Sequence, residues 1–94
     1  MITFTVRLRF KAEDREEIRE ALRAATEASR KEPGCVTYIP HIVDGDADTI
    51  LIYEQYKDAA VVEMHRAADY FKRYAGQVIP TLVDQRERLM LQPF

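Results

Sequence analysis

Tryptophan is missing from this 94-residue chain, and cysteine, histidine and glycine are scarce, with one, two and three copies. Each shortage removes a class of chemistry. A single cysteine, Cys35, excludes an internal disulfide and a cysteine-based zinc site, which leaves it the role of a small buried apolar group. Gly34, Gly45 and Gly76 are too few and too scattered for a glycine-rich phosphate or dinucleotide loop. No apolar run is long enough to span a bilayer. The opening "MITFTVRLRF" places its arginines after its apolar residues, the reverse of a secretory leader, so a cytoplasmic setting is expected. A surplus of one charge is also lacking: 14 Lys and Arg are interspersed with 16 Asp and Glu, for a net charge of −2. That offers no basic stripe for phosphates, so neither nucleic acid nor a membrane is an expected partner.

What is present is an apolar fraction of 47% in a chain short enough to form one domain over residues 1–94. A domain this small buries a limited share of its surface, so some of that apolar content is available for an interface and a homodimer is expected. Ile2, Phe4, Val6, Leu8 and Phe10 alternate with Thr3, Thr5, Arg7, Arg9 and Lys11, the period of a two-faced strand. Asp14 with Glu17 fits a capping box, and Ile18, Ala21, Leu22, Ala25, Ala28 and Ser29 share one helical stripe. The helix predicted over Arg15 to Lys31 then stops at Pro33 and Gly34.

"CVTYIPHIV" and "TILIYEQY" read as paired strands joined through "DGDAD". Asp58 is placed to cap a short helix. Asp69 is placed to cap a longer one with the stripe Phe71, Tyr74, Ala75, Val78, Ile79 and Leu82, kinked or shortened by Pro80. "ERLMLQP" resumes alternation as a fourth strand. This order predicts an α+β, ferredoxin-like βαββαβ antiparallel sheet with helices on one face. Apolar and aromatic residues occupy both parities of the third strand, so the bare face is expected to meet a second copy across a two-fold axis.

The segments "EPGCVTY", "IYEQYKD" and "MHRAADYFKRY" resemble the antibiotic biosynthesis monooxygenase family, small dimeric α/β-barrel proteins that include quinol monooxygenases. The residues carrying the likeness, over essentially the whole chain, are Pro33, Gly34, Tyr38, Glu54, Tyr56 and His65. The resemblance implies oxygenation of an electron-rich phenol or quinol by molecular oxygen, often without flavin, haem or metal. The fold also hosts isomerases of phosphorylated signals, haem-degrading enzymes and members without known activity. Two departures stand out. Tyr70 occupies the place where many relatives carry a second histidine, and Tyr56 the place where relatives often carry tryptophan.

Residue by residue, Val61, Val62 and Ala68 lie three or four positions from His65, so its imidazole faces the sheet. It is either a core histidine donating to a carbonyl or a base that takes a proton from a substrate hydroxyl. Glu54 lies in an apolar run and needs a partner, for which Arg7 or Arg9 is the candidate, as a structural ion pair or, in the alternative, a proton acceptor. Asp69, one turn after His65, is a candidate to orient its ring.

The catalytic candidates are therefore His65, Tyr70 and Glu54. The candidates for contact with an aromatic substrate are Tyr56, Tyr38, Phe71, Tyr74 and Tyr53. Strand parity separates Tyr53 from Glu54 and Tyr56. His41 and His65 are not at a local metal-ligand spacing, so cofactor-free and metal-free chemistry is the expectation, with a small aromatic molecule and oxygen as reactants. An isomerase of a hydroxy-ketone and a non-enzymatic small-molecule-binding dimer are the alternatives. For an anionic substrate, Lys57, Arg66 and Lys72 are the cations near the site, with surface solvation as their other role.

Overall fold

The alternation of residues 2–10 becomes β1 (Ile2–Phe10), the strand on which the rest of the sheet is built. The computed structural model covers residues 1–94. It continues with α1 (Arg15–Arg30), β2 (Cys35–Val43), β3 (Asp46–Tyr56), α2 (Ala59–Ala67), α3 (Asp69–Arg73), a π-helical turn (Tyr74–Val78), α4 (Ile79–Leu82) and β4 (Val83–Leu91). The strands lie in the order β2-β3-β1-β4 and every neighbouring pair is antiparallel. With the helices on one face, this is the expected α+β ferredoxin-like arrangement.

Register decides which side chains meet the helices. Phe4 lies opposite Glu54, Val6 opposite Ile52 and Leu8 opposite Ile50 across β1 and β3, and Tyr38 lies opposite Glu54 across β2 and β3. Those positions are buried and pack with Ile18 and Leu22 of α1 and Val62 of α2. Leu8 and Ile18 are 1% and 0% exposed, and each contributes about 1.5–3 kcal/mol through burial. The opposite parity, including Thr5, Arg7, Leu51 and Tyr53, occupies the uncovered face.

Several local expectations change. The turn between β2 and β3 is Asp44–Gly45 alone, because Gly45 adopts a φ of 80° and lets β3 begin at Asp46 rather than Thr49. Asp14 precedes α1, but its side chain makes no capping bond; a 3₁₀ turn over Ala12–Asp14 leads into the helix instead of a capping box. Asp58 does cap α2, its carboxylate accepting from the Val61 N–H at 3.0 Å. Asp69 is not a cap, since Ala68 with extended backbone angles holds that position. Cys35 is only partly buried, at the first residue of an edge strand.

The predicted single helix after Asp69 is interrupted. Pro80 has no N–H to offer the carbonyl of Gly76, and its ring crowds that turn, so the chain widens and Ile79 donates to Tyr74 five residues back. β4 then starts at Val83, earlier than the alternation of "ERLMLQP" indicates. Its first half is exposed and charged, which hides the strand from an apolar pattern.

Gly34 marks the closest approach of the β2 entrance to α2. A Cβ at that position would fall within the Val61 side chain, while the Gly34 carbonyl accepts from the Lys57 N–H at 2.9 Å. Gly34→Ala is therefore expected to lower stability by about 1–3 kcal/mol, read from denaturant unfolding. Gly76→Ala, where a Cβ meets nothing within 4 Å, is expected to show no such loss.

Candidate active site

Glu54 and Tyr56 are two residues apart on β3 and so share its helix-facing side. The Tyr56 hydroxyl donates to Glu54 Oε1 at 2.6 Å, a short bond of the charge-assisted kind. Tyr56 is fully buried and stacks on Phe4 with ring centres 5.8 Å apart. Arg7 and Arg9, the expected partners of Glu54, are on the opposite face because an odd position on β1 cannot reach the side that Phe4 and Glu54 share. Glu54 is held by a tyrosine instead of an arginine. Burial therefore dominates its acidity and pushes the carboxyl up to about 7, against the opposing pull of the Tyr56 hydroxyl and, more weakly, Arg88. Burial, then the Glu54 charge, pushes the Tyr56 and Tyr38 hydroxyls well above the usual phenol range, so both remain protonated donors.

α2 delivers His65 into this space. Val62 and His65, three residues apart, are its two buried positions, and His65 is 2% exposed. Its Nδ1 lies 3.0 Å from Glu32 Oε1 and 3.1 Å from the Tyr70 hydroxyl. A carboxylate accepts only, so Nδ1 carries the proton that Glu32 receives, and the Tyr70 hydroxyl accepts alongside it while facing Ser29 Oγ at 3.3 Å. In the neutral ring the lone pair is then on Nε2. It has no hydrogen-bond partner, and Glu54 Oε1 is 3.9 Å away, too far for a hydrogen bond. Aromatic rings close the surroundings: Phe71 edge-on at 4.7 Å between centres, Tyr56 at 5.0 Å, Tyr70 at 6.0 Å and Tyr38 at 6.2 Å.

Of the residues named from sequence, His65, Glu54, Tyr70, Tyr56, Tyr38 and Phe71 converge here. Two do not. Tyr53 is on the uncovered sheet face, as its parity requires, and Tyr74 packs at the π turn beside α1. Glu32 also belongs to the cluster and is hidden in the sequence, because "KEPG" signals only a helix stop. Its backbone is tied on both sides, its N–H to Ser29 and its carbonyl to Cys35, which fixes the carboxylate that holds His65. The available signal was an acidic residue immediately before Pro33, a position whose conformations are restricted. Cys35 lies near both carboxylates, and burial followed by those charges raises its thiol, which keeps it unreactive.

No group of three or more His, Cys, Asp or Glu is arranged to hold a metal. His41, exposed on edge strand β2, lies 3.3 Å from the Leu51 carbonyl and takes no part in the cluster. Neither the groove between α1 and β2 nor the two smaller surface hollows, one at Arg7, Arg9 and Arg86 and one at Ala21 and Tyr74, is lined by His65, Glu54 or Tyr56. An organic ligand reaches Nε2 only if the ring wall yields, and Tyr70 and Phe71, both on the short α3 and partly exposed, are its less buried members.

An α+β sandwich of this topology, with an imidazole and carboxylates buried between sheet and helices, defines a class of small antiparallel-sheet proteins. A sequence model described as antibiotic biosynthesis monooxygenase matches residues 1–77, and the chain belongs to that family. A crystal structure of an antibiotic biosynthesis monooxygenase is similar over 100% of this chain and 99% of its own, at 21% identity and a TM-score of 0.93. A Bacteroides thetaiotaomicron protein of unknown function, described as a possible oxidoreductase, is 28% identical over 96% of each chain, with a TM-score of 0.86. A Pseudomonas aeruginosa protein is 25% identical over 99% of this chain and 93% of its own, with a TM-score of 0.91. No curated protein matches the sequence.

Proposed function

We propose that this protein oxygenates a quinol or other dihydroxy-aromatic molecule with molecular oxygen and without a cofactor, acting as a homodimer. The observation that carries the reading is the unpartnered Nε2 of His65, buried among rings while Glu32 holds the other nitrogen. A base tethered in that way takes a proton from a substrate hydroxyl without having to reorient. The aryl-oxide formed is electron-rich and reduces oxygen directly. One oxygen atom enters the ring and the other leaves as water, with the substrate supplying all four electrons. The Tyr56 and Tyr38 hydroxyls are the donors available to the developing charge, and the apolar rings exclude water.

The dimer would form through the uncovered sheet face, where Leu51 and Tyr53 are half-buried and Leu89 is 54% exposed. A cytoplasmic setting belongs to the same reading. No helix is long and apolar enough to cross a membrane.

The closed packing around His65 favours one competing reading, a polar core in a protein that binds without turnover. Oxygen consumption with a panel of para- and ortho-quinols distinguishes the two. The expected result is uptake equimolar with product and absent for the corresponding mono-ethers. No uptake with any quinol overturns the proposal, and turnover of a hydroxy-ketone under strict anaerobiosis would replace it with proton-shuttling isomerisation. Sedimentation is expected to give twice the mass of the 10.9 kDa chain.

A further inference from the structure

A prominent cavity lies away from His65. It is an open groove of about 720 Å³ between α1 and edge strand β2. Its apolar floor is made by Leu22, Pro40, Ile42 and Ile50, the last two facing each other in register. Along its α1 wall, Arg19, Arg23, Thr26 and Arg30 follow spacings of four, three and four, so they form a single line on the helix. That line is about 16 Å long. Lys31 adds a fifth polar position, and Glu27 is the only acid in the lining.

The cations are not equivalent. Arg23 is engaged by Glu20 at 2.6 Å, Lys31 by Glu27 at 3.6 Å and Arg19 by Glu16 at 3.9 Å. Arg30 has no carboxylate partner. Its Nε donates to the Tyr38 carbonyl at 3.1 Å, which fixes the guanidinium and leaves its terminal nitrogens uncommitted. Two further polar groups on the same wall are buried without a partner, Thr26 Oγ1 and Arg19 Nε. Thr26 is 9% exposed. Unsatisfied buried donors are rare and costly, and here two occur in one groove, Thr26 one turn from the oriented free guanidinium of Arg30 and Arg19 at the far end of the line.

We propose that this groove binds an amphipathic organic monoanion, a molecule with an apolar body and a single carboxylate, seated with its charge at Arg30 and its body over Ile42 and Leu22. One uncommitted cation matches one negative charge, and a dianionic phosphate would be left half-neutralised. Ile42, 53% exposed in the free chain, is the apolar surface that such a body covers. The site is independent of the chemistry proposed for His65.

Octanoate and octanol are suitable probes, titrated calorimetrically into the full chain, with amide chemical shifts to locate them. Octanoate is expected to bind about tenfold or more tightly than octanol, since the two share an apolar body and differ in the charge-assisted contact. Shifts should fall on α1 and β2. Arg30→Met is expected to reduce octanoate to the level of octanol, Arg30→Lys to restore part of the difference, and His65→Gln to change neither. Equal affinity for acid and alcohol, retention of octanoate by Arg30→Met, or shifts confined to α2 and the His65 cluster would each overturn the proposal. So would failure of octanoate to bind a dimer whose second copy fills the groove.

Discussion

His65→Gln is expected to reduce oxygen uptake on a responsive quinol by about 10²–10⁴-fold, the range for loss of a positioned base. The substitution keeps a polar side chain of similar reach but removes the one ring nitrogen of the buried cluster that has no hydrogen-bond partner, Nε2. The loss should fall on kcat more than on KM, because apolar walls such as Phe71 and Tyr56 remain. Glu32→Gln is the informative companion. It leaves the ring in place and weakens its anchor, so activity should fall less than in His65→Gln and its pH profile should move. Oxygen consumption followed over a range of quinol concentrations and of pH makes both measurements. Unchanged uptake in His65→Gln would remove the histidine from the mechanism, and an unshifted profile in Glu32→Gln would reduce Glu32 to a packing role.

Between about pH 4.5 and pH 7, stability is expected to fall as pH rises, by an amount on the order of 3 kcal/mol attributable to Glu54. Below pH 4.5 the carboxyl is protonated whether the chain is folded or not, so it adds no pH dependence. In the interval the unfolded chain has released the proton while the folded chain still holds it, because ionisation within the apolar sheet is penalised. Unfolding therefore releases a proton, and raising the pH favours it. Above pH 7 both states are ionised and the curve flattens.

Glu54→Gln should abolish this slope and leave the protein more stable than wild type at pH 8, since the amide oxygen still accepts from the Tyr56 hydroxyl. Asp46 acts in the opposite sense. Hydrogen bonds from the Thr49 hydroxyl and the Asp48 N–H hold its carboxyl below the usual range, so its effect is confined to more acid pH and does not obscure the Glu54 window. Urea unfolding of both proteins at intervals between pH 4 and 8 provides the comparison. A wild-type curve that is flat or rising from pH 5 to 7 would show that Glu54 is already ionised and solvated.

Local pattern carried a large part of this fold. Alternation over residues 2–10, the stripe from Ile18 to Ser29, and the stop at Pro33 and Gly34 specified β1, α1 and its end without reference to anything distant. The same period of two placed Glu54 with Tyr56 and away from Tyr53, and the helical period turned His65 inward. Where neighbours compete, pattern failed. Asp14 and Asp69 have the chemistry of caps, but their backbones enter the helices through a 3₁₀ turn and through Ala68, so their carboxylates point elsewhere. Pro80 announced a break but not its form, which depended on whether the preceding turn could widen.

By itself, then, the sequence determined which residues face the interior, because burial follows the periods of strand and helix. Pairings across the interior were decided only by the tertiary structure. Glu54 meets Tyr56 instead of Arg7 or Arg9 because antiparallel register with Phe4 places both arginines across the sheet. Glu32 reaches His65, 33 residues away, because the α1–β2 turn and α2 are packed together where Gly34 has no side chain. No period encodes that contact, and it is the contact that leaves Nε2 free.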